Sequence, residues 1–438
     1  MYLKICKFGG TSMAEKSSIL KVKDIVRGDL SRRFVVVSAP GKRFSGDIKI
    51  TDQLYSCFEQ KQKTGSCKQV FEKIRQRYIE IVRELKVDIE IESYLDQVER
   101  EIDQSITPDF AASRGEYLCA LIMSKVIGYE FVDAAEIIKF DAQGIFDAGK
   151  TYEAVKGRLS IEKGAIIPGF YGALPDGTIK TFTRGGSDFT GAIIAKGVMA
   201  DLYENWTDVD GFMTADPRVV DNPRHIEVLS FEELRELSYM GASVLHPEST
   251  FPLNDTKIPI NIKNTFNPSD KGTLILKNID DYNQPIVTGI AGKAGFTSIF
   301  IRKAMMNSEI GFCRRVLSVL EEHWVSLEHM PTGIDSMCLI IPDDSLSCGK
   351  EFALMEAIRK EVNPDHIYIS KNLSLIAVVG HGMTNQIGTS AKVFTALANA
   401  NINVKMIDQG SSEMNIIIGV ETSDANRAIQ AIYNAYFG

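Results

Sequence analysis

Four short constellations carry residues that could do chemistry, two of them by handling an anion. Lys7-Phe8-Gly9-Gly10-Thr11-Ser12 follows a short apolar run at 2–6 and precedes a helical pattern over 13–27. A strand, a Gly-rich turn and a helix in that order leave backbone N–H groups pointing outward at a helix N-terminus, which suits a phosphate. The lysine comes before the glycines, whereas a Walker A loop has it after them, so this is not a P-loop. Thr183-Arg184-Gly185-Gly186-Ser187-Asp188 is a second such turn and opens a helical pattern over 189–198. Ser187 or Asp188 suits its N-cap. Arg184 adds a planar donor that grips a carboxylate or phosphate through two bonds.

The other two constellations each have two readings. Ser113-Arg114-Gly115-Glu116 precedes an apolar helical run at 117–127. As S-x-x-E it is a capping box, with Glu116 reaching back to the Ser113 N–H. As chemistry, Glu116 accepts a cationic group of a substrate. The spacing alone favours the cap. Trp206-Thr207-Asp208-Val209-Asp210-Gly211 ends a strand in a polar turn and runs on to Asp216-Pro217-Arg218. Open α/β sheets bind ligands in the loops beyond the carboxyl ends of their strands. Asp208 and Asp210 can order a nucleotide or its Mg²⁺ there, though paired aspartates are common in any turn. Ser38-Ala39-Pro40-Gly41-Lys42 and Thr51-Asp52 are weak signals by themselves.

Such turns need a sheet to align them. Residues 34–39 form a continuous apolar, β-branched run, as in a buried parallel strand. Residues 164–170, 200–206 and 258–263 read as further strands, and Pro175-Asp176-Gly177 turns a hairpin within 171–182. Amphipathic helices lie between them, as at 231–240. This alternation predicts an α/β sheet covered on both faces. Residues 60–104 differ, being charged and helical, with Phe71, Ile74, Tyr78, Ile81 and Val82 at helical spacing. The stripe is short and Lys86-Val87-Asp88 interrupts it, so a packed helical lobe over one sheet edge is expected rather than a coiled-coil partner site. Residues 264–284, rich in Asn, Asp, Pro, Ser and Gly, end the large domain and form the linker region.

An internal repeat follows. Shifting the segment from Phe296 by 77 positions lays it on the segment from Leu373 without a gap. Ile310-Gly311 falls on Ile387-Gly388, Gly333 on Gly410, and Ile340-Ile341 on Ile417-Ile418. Each copy reads as strand, glycine turn, helix, strand, strand, helix, which predicts two βαββαβ units in tandem.

Bulk properties bound the rest. A chain of 438 residues suggests two or three domains. A net charge of −8 argues against a general nucleic-acid binder. Seven scattered cysteines without C-x-x-C spacing fit reduced thiols in a cytosolic protein. No apolar run approaches membrane-spanning length, and the N-terminus lacks a signal-peptide pattern, so a cytoplasmic protein with no membrane partner is expected.

Lys7–Ser12, Ser113–Glu116, Arg184–Asp188, Trp206–Val209, Asp216–Arg218 and Leu245-His246-Pro247 stand in the order seen in aspartate kinases. The repeats resemble the paired ACT domains that follow that catalytic domain, and the resemblance spans essentially the whole chain. It implies an amino-acid-kinase αβα sandwich with a mainly parallel sheet over 1–284. Two ferredoxin-like ACT units follow over 285–365 and 366–438, the first completed by 430–438. It implies ATP with Mg²⁺ and phosphorylation of the L-aspartate β-carboxylate, the first step toward lysine, threonine and methionine. A carboxylate is already nucleophilic, so positioning and charge stabilisation suffice and no catalytic triad is needed.

By the same resemblance, Lys7 neutralises the transferring phosphate beside the Gly9 and Gly10 N–H groups, and Asp188 organises that lysine. Arg184 clamps the aspartate α-carboxylate with Ser187 alongside. Glu116 accepts the α-ammonium, Thr51 adds a contact and Phe170 lines the pocket. Ser38, Thr207, Asp208, Met213 and Arg218 are nucleotide-side positions, and the Mg²⁺ ligands stay unassigned. Met213 stands where many relatives have tyrosine, and Ser243 where many have lysine. ACT pairing implies a homodimer or homotetramer and feedback inhibition by lysine, threonine or both. Met306, Gly311, Phe312, Cys313, Leu327 and Glu328 match the effector positions, and Lys405 replaces Glu328 in the second copy. Two rivals stand beside this reading. One is an amino-acid kinase acting on glutamate, acetylglutamate or a nucleotide, and the other is a catalytically weak amino-acid sensor.

Overall fold

The computed structural model describes residues 2–183, 185–242, 244–279, 282, 284–346 and 349–438, with Pro247 described by its backbone alone. The chain forms two compact units. The first comprises Met1–Phe212, His225–Phe231 and Ser243–Tyr282; the second comprises Met213–Arg224, Glu232–Ala242 and Asn283–Gly438. The division does not fall at one point of the chain, because two short segments before residue 243 cluster with the C-terminal part.

In the first unit the strands are β1 (Lys4–Phe8), β2 (Arg32–Val37), β3 (Glu130–Phe131), β4 (Ala165–Pro168), β5 (Tyr171–Ala173), β6 (Ile179–Thr181), β7 (Leu202–Thr207), β8 (Val228–Ser230), β9 (Ile260–Asn264) and β10 (Thr273–Leu276). Eight of them form one sheet in the order β3-β4-β2-β1-β7-β9-β10-β8, while β5 and β6 make the expected hairpin. All neighbours in the large sheet run parallel except β9 and β10. Phe34 to Val37 are fully buried, because helices cover both faces and no position on a central strand meets water. Strand β10 lies inside the polar stretch 264–284, read from composition as the end of the large domain and the linker region.

The helices of this unit are α1 (Lys16–Arg27), α2 (Ile50–Thr64), α3 (Lys68–Leu85), α4 (Ile91–Gln104), α5 (Pro108–Ile127), α6 (Ala134–Ile137), α7 (Ala148–Arg158) and α8 (Gly186–Gly197). Helices α2, α3 and α4 form the helical lobe. Their apolar stripes, including Phe71, Ile74, Tyr78, Leu95 and Val98, join α1 and α5 in one core.

In the second unit α9 (Phe231–Tyr239), whose first residue counts with the first unit, precedes β11 (Gly289–Arg302), α10 (Phe312–Glu322), β12 (Ser336–Pro342), α11 (Lys350–Val362), β13 (His366–Val379), α12 (Thr389–Asn399), β14 (Met406–Asp408), β15 (Asn415–Glu421) and α13 (Ala425–Phe437). One antiparallel sheet runs β12-β11-β13-β15-β14. The long strands β11 and β13 pair along both their halves, with register shifts around Phe296. Each half of this strand pair serves a different core. The residues 299–369 close one core; the other gathers Val287, Ile290, Ile376, Val378 and residues from α12, β15 and α13. Tyr433 and Phe437 therefore pack in the second core with the first half of β11, and among the described residues none of 430–438 enters the first core. This differs from the expectation that 430–438 complete the first copy. The reason lies in the shared strands: the first half of β11 needs α13 as its cover.

Among the described residues no helix is long and apolar enough to cross a membrane. The described cysteines are all free of disulfides.

Candidate active site

Strands β4, β2, β1 and β7 lie side by side and parallel. The loops leaving their C-terminal ends therefore open on one edge of the sheet, where ligands of such sheets bind. Gly9 and Gly10 follow β1, Ser38 follows β2, Phe170 follows β4 and Asp208 follows β7.

Lys7 is buried near the end of β1. Its Nζ lies 2.6 Å from Asp188 Oδ1. Lys7 stands in register with Asn205 of β7, so both side chains leave the same face of the sheet. Asn205 Nδ2 donates to the same Asp188 Oδ1 at 2.8 Å. The ammonium is thus held by a carboxylate that a neighbouring strand also fixes.

Asp188 is not a helix cap. Gly185, at φ 56°, is the N-cap of α8, and Gly186 is its first residue, so Ser187 and Asp188 both fall in the first turn. Only glycine fits the crowded approach to this helix. A Cβ on Gly186 would lie 2.5 Å from Phe170 Cδ2, and one on Gly169 would lie 2.6 Å from Ser187 Oγ. Phe170 itself sits at φ 81°, a left-handed conformation rarely held without glycine. It is pinned there by its N–H to Thr190 Oγ1 at 3.0 Å and by the Phe182 N–H donated to its carbonyl at 2.9 Å. Strain of this kind persists where the surroundings over-determine it, often at sites of function.

The Gly9 and Gly10 turn also differs in one detail from expectation. The Gly9 N–H is donated to the Trp206 carbonyl at 3.0 Å, so it ties β1 to β7 and does not face a phosphate. Gly10 meets the loop after β2, where Gly41 N–H donates to the Gly10 carbonyl at 2.8 Å. Ser38 N–H donates to the Phe8 carbonyl at 3.2 Å.

Ser113 and Glu116 do not form a capping box. Pro108 starts α5 with Thr107 as N-cap, which places both residues inside the helix. The Ser113 hydroxyl donates to the Phe110 carbonyl at 2.7 Å. Glu116 is buried, and its Oε2 has no hydrogen-bond partner. Burial pushes its carboxyl up to about 8, against the opposing pull of the Ala39 N–H and the Arg114 charge. Arg114 lies over the rings of Phe110, Tyr117 and Tyr171.

Thr51 lies half-buried in the first turn of α2. The Thr207 hydroxyl donates to Asp208 Oδ1 at 3.2 Å, and Asp208 is exposed. Asp210 Oδ1 accepts from Asn264 Nδ2 and Asn267 Nδ2 at 2.9 and 3.1 Å, which ties it to the turn. Arg184 and Ser243 lie outside the described residues. Met213 and Arg218 belong to the second unit, where Arg218 Nη2 lies 2.6 Å from Asp216 Oδ2.

Asn205 was not expected from the sequence. Its signal was there to read: Glu204 and Asn205 are polar residues flanked by aromatic ones in the buried part of a strand. Glu204 serves the other face, 2.7 Å from Arg32 Nε and 3.3 Å from Lys4 Nζ.

Within the second unit, Gly311 at φ 81° is the N-cap of α10, and Phe312 and Met306 pack into the first core with Cys313 and Leu327 beside them. Glu328 is half-buried. Its Oε2 accepts from the Tyr239 hydroxyl at 2.8 Å, and its Oε1 has no partner. At the repeat-related position Lys405 instead pairs with Glu421.

Known proteins are similar to this chain in sequence and fold. Residues 3–264 match the model of the amino acid kinase family, and residues 376–436 match an ACT domain. Aspartokinase 3 of Bacillus subtilis is 40% identical over 99% of both chains. The crystal structure of Clostridium acetobutylicum aspartate kinase is 52% identical with a TM-score of 0.95, covering 99% of this chain and 100% of that one. Escherichia coli aspartokinase III, 25% identical over the full length of both chains, has been solved with aspartate and ADP and with lysine and aspartate, at TM-scores of 0.78 and 0.77. The chain belongs to the amino acid kinase family, and within it to the aspartate kinases.

Proposed function

We propose that this enzyme transfers the γ-phosphoryl group of ATP to the β-carboxylate of L-aspartate. The product is 4-phospho-L-aspartate, the first intermediate toward lysine, threonine and methionine. The observation that carries the choice of an amino-acid substrate is Glu116, a buried carboxylate with an oxygen lacking any partner. An uncompensated buried carboxyl is costly, and a substrate α-ammonium supplies the missing partner. Arg184 is read as the clamp on the α-carboxylate, with Ser187, Thr51 and Phe170 around the substrate. Lys7, oriented by Asp188 and Asn205, faces the transferring phosphoryl group and offsets its charge. Gly10, Ser38, Thr207 and Asp208 are read as the nucleotide side.

Among the described residues no three His, Cys, Asp or Glu side chains gather as a metal set. That fits Mg²⁺ carried by nucleotide phosphates, which needs only one or two carboxylates besides water. Exposed Asp208 suits that part. Bound there, the ion would neutralise charge on the phosphates.

The second unit is proposed to bind lysine, threonine or both as feedback inhibitors near Glu328, whose free Oε1 suits an ammonium. The lysine complex of the Escherichia coli enzyme supports this reading. Assembly as a homodimer or homotetramer and a cytoplasmic location complete the proposal. A hydroxamate assay with aspartate and glutamate side by side tests the substrate, with ATP-dependent product expected from aspartate; turnover of glutamate alone would sink it. Steady-state kinetics with lysine, threonine and both together identify the effector.

A further inference from the structure

Helix α3 carries no group placed against a substrate, yet two consecutive residues of it brace the loops that are. Arg77 is buried. Its Nη2 donates to the Ala14 carbonyl at 2.7 Å and to the Gly41 carbonyl at 3.3 Å, while Nη1 lies 3.2 Å from Asp47 Oδ2. Ala14 closes the turn that begins at Gly9. Gly41 packs so closely on Gly10 that a Cβ there would lie 2.6 Å from the Gly10 carbonyl carbon. One guanidinium therefore grips both loops that meet at Gly10. A buried ionic group rarely adds stability over an apolar residue of equal volume, so its presence points to something other than packing.

Tyr78 is the next residue. Neighbours on a helix point about 100° apart, given 3.6 residues per turn, so it reaches a different element. Its buried hydroxyl donates to the Gly115 carbonyl at 2.7 Å, one residue before Glu116. Gly115 is itself tight, since a Cβ would lie 2.7 Å from Ala39 Cβ in the loop after β2.

We propose that Arg77 and Tyr78 are positioning residues for phosphoryl transfer. Arg77 sets the Gly10 and Gly41 loops on the nucleotide side, and Tyr78 sets Gly115 and Glu116 on the amino-acid side. The inference rests on the roles proposed above for Gly10 and Glu116.

The test is steady-state kinetics of the full-length enzyme as Arg77→Met, Arg77→Lys, Tyr78→Phe and Glu116→Gln, with thermal melts of each. Tyr78→Phe should raise the aspartate KM about tenfold, the worth of one hydrogen bond, and leave the ATP KM within about twofold. Arg77→Met should instead raise the ATP KM or lower kcat about tenfold or more, with the aspartate KM little changed. Arg77→Lys keeps the charge and should recover part of the loss, which also guards against a Met variant that does not fold. A merely structural role would lower the melting temperature and the amount of active enzyme while leaving both KM values and kcat per folded molecule at parental levels, and that result overturns the proposal. If Glu116→Gln leaves the aspartate KM unchanged while Tyr78→Phe raises it, the Glu116 assignment fails and the bracing role stands.

Discussion

The ionisation of Glu116 should govern how the enzyme meets aspartate across the neutral pH range. Burial holds its carboxyl at about 8 against an ordinary 4.5, so the empty site is mostly protonated at neutral pH. An α-ammonium needs the carboxylate. At pH 7 only roughly a tenth of the enzyme carries it, and ionising the rest costs about 1.4 kcal/mol. The kcat/KM for aspartate should therefore climb roughly tenfold between pH 6 and 7 and about fivefold between pH 7 and 8, then flatten toward pH 9. Once aspartate is bound, its charge holds the carboxylate ionised, so the change belongs in KM and kcat should stay nearly level.

The same raised value fixes the sign for stability. The folded state binds the proton more tightly than the unfolded chain, so the contribution of Glu116 is most favourable below about 4.5 and is lost as pH rises through about 8. Glu116→Gln, which keeps the shape and cannot ionise, should have a high, pH-independent aspartate KM and melt above the parent at pH 8.5. The assay is hydroxamate kinetics from pH 6 to 9 on both proteins, with melts in the same buffers. A flat kcat/KM in the parent, or the same slope in Glu116→Gln, would refute the assignment.

Three further outcomes are expected. Lys7→Ala should lower kcat by at least about a hundredfold with the aspartate KM little moved, because the lost charge acts on the transition state; near-normal turnover would remove Lys7 from its role. Gly41→Ala forces a Cβ to 2.6 Å from the Gly10 carbonyl carbon, so it should cost about 1–3 kcal/mol of stability and raise the ATP KM, and parental melts and ATP kinetics would mean the two loops can separate freely. Glu328→Ala should raise the lysine concentration for half-inhibition about tenfold, the worth of one charge-assisted hydrogen bond; an unmoved inhibition curve places the effector elsewhere.

Much of the fold could be read from local patterns, because buried parallel strands show up as continuous β-branched runs and the repeat announces itself by self-similarity. Lys7 was legible for the same reason, as a cation at a strand end before two glycines. What could not be read depended on partners distant in the chain. The Ser113–Glu116 spacing imitates a cap, and only Pro108 starting the helix earlier shows that it is not one. Asn205 matters because β7 lies beside β1 and Asp188 lies over both. The Gly9 N–H looks available until the Trp206 carbonyl takes it. Arg77 and Tyr78 belong to a stripe whose apolar members advertise packing and whose polar tips say nothing of their targets.

The shared strands of the second unit also set a timetable. The core built on 299–369 draws on one continuous stretch of chain, so it can close soon after that stretch is made. Val287 and Ile290 come first in sequence but wait for β15 and α13 to cover them. At a synthesis rate of about 5–20 residues per second that is a delay of roughly 7–30 s. During it, one end of β11 offers an apolar strand to whatever else is near. The nascent chain is thus most vulnerable to mispairing just before its final helix emerges, and substitutions in α13 should reduce the yield of folded enzyme more sharply than their effect on the finished protein suggests.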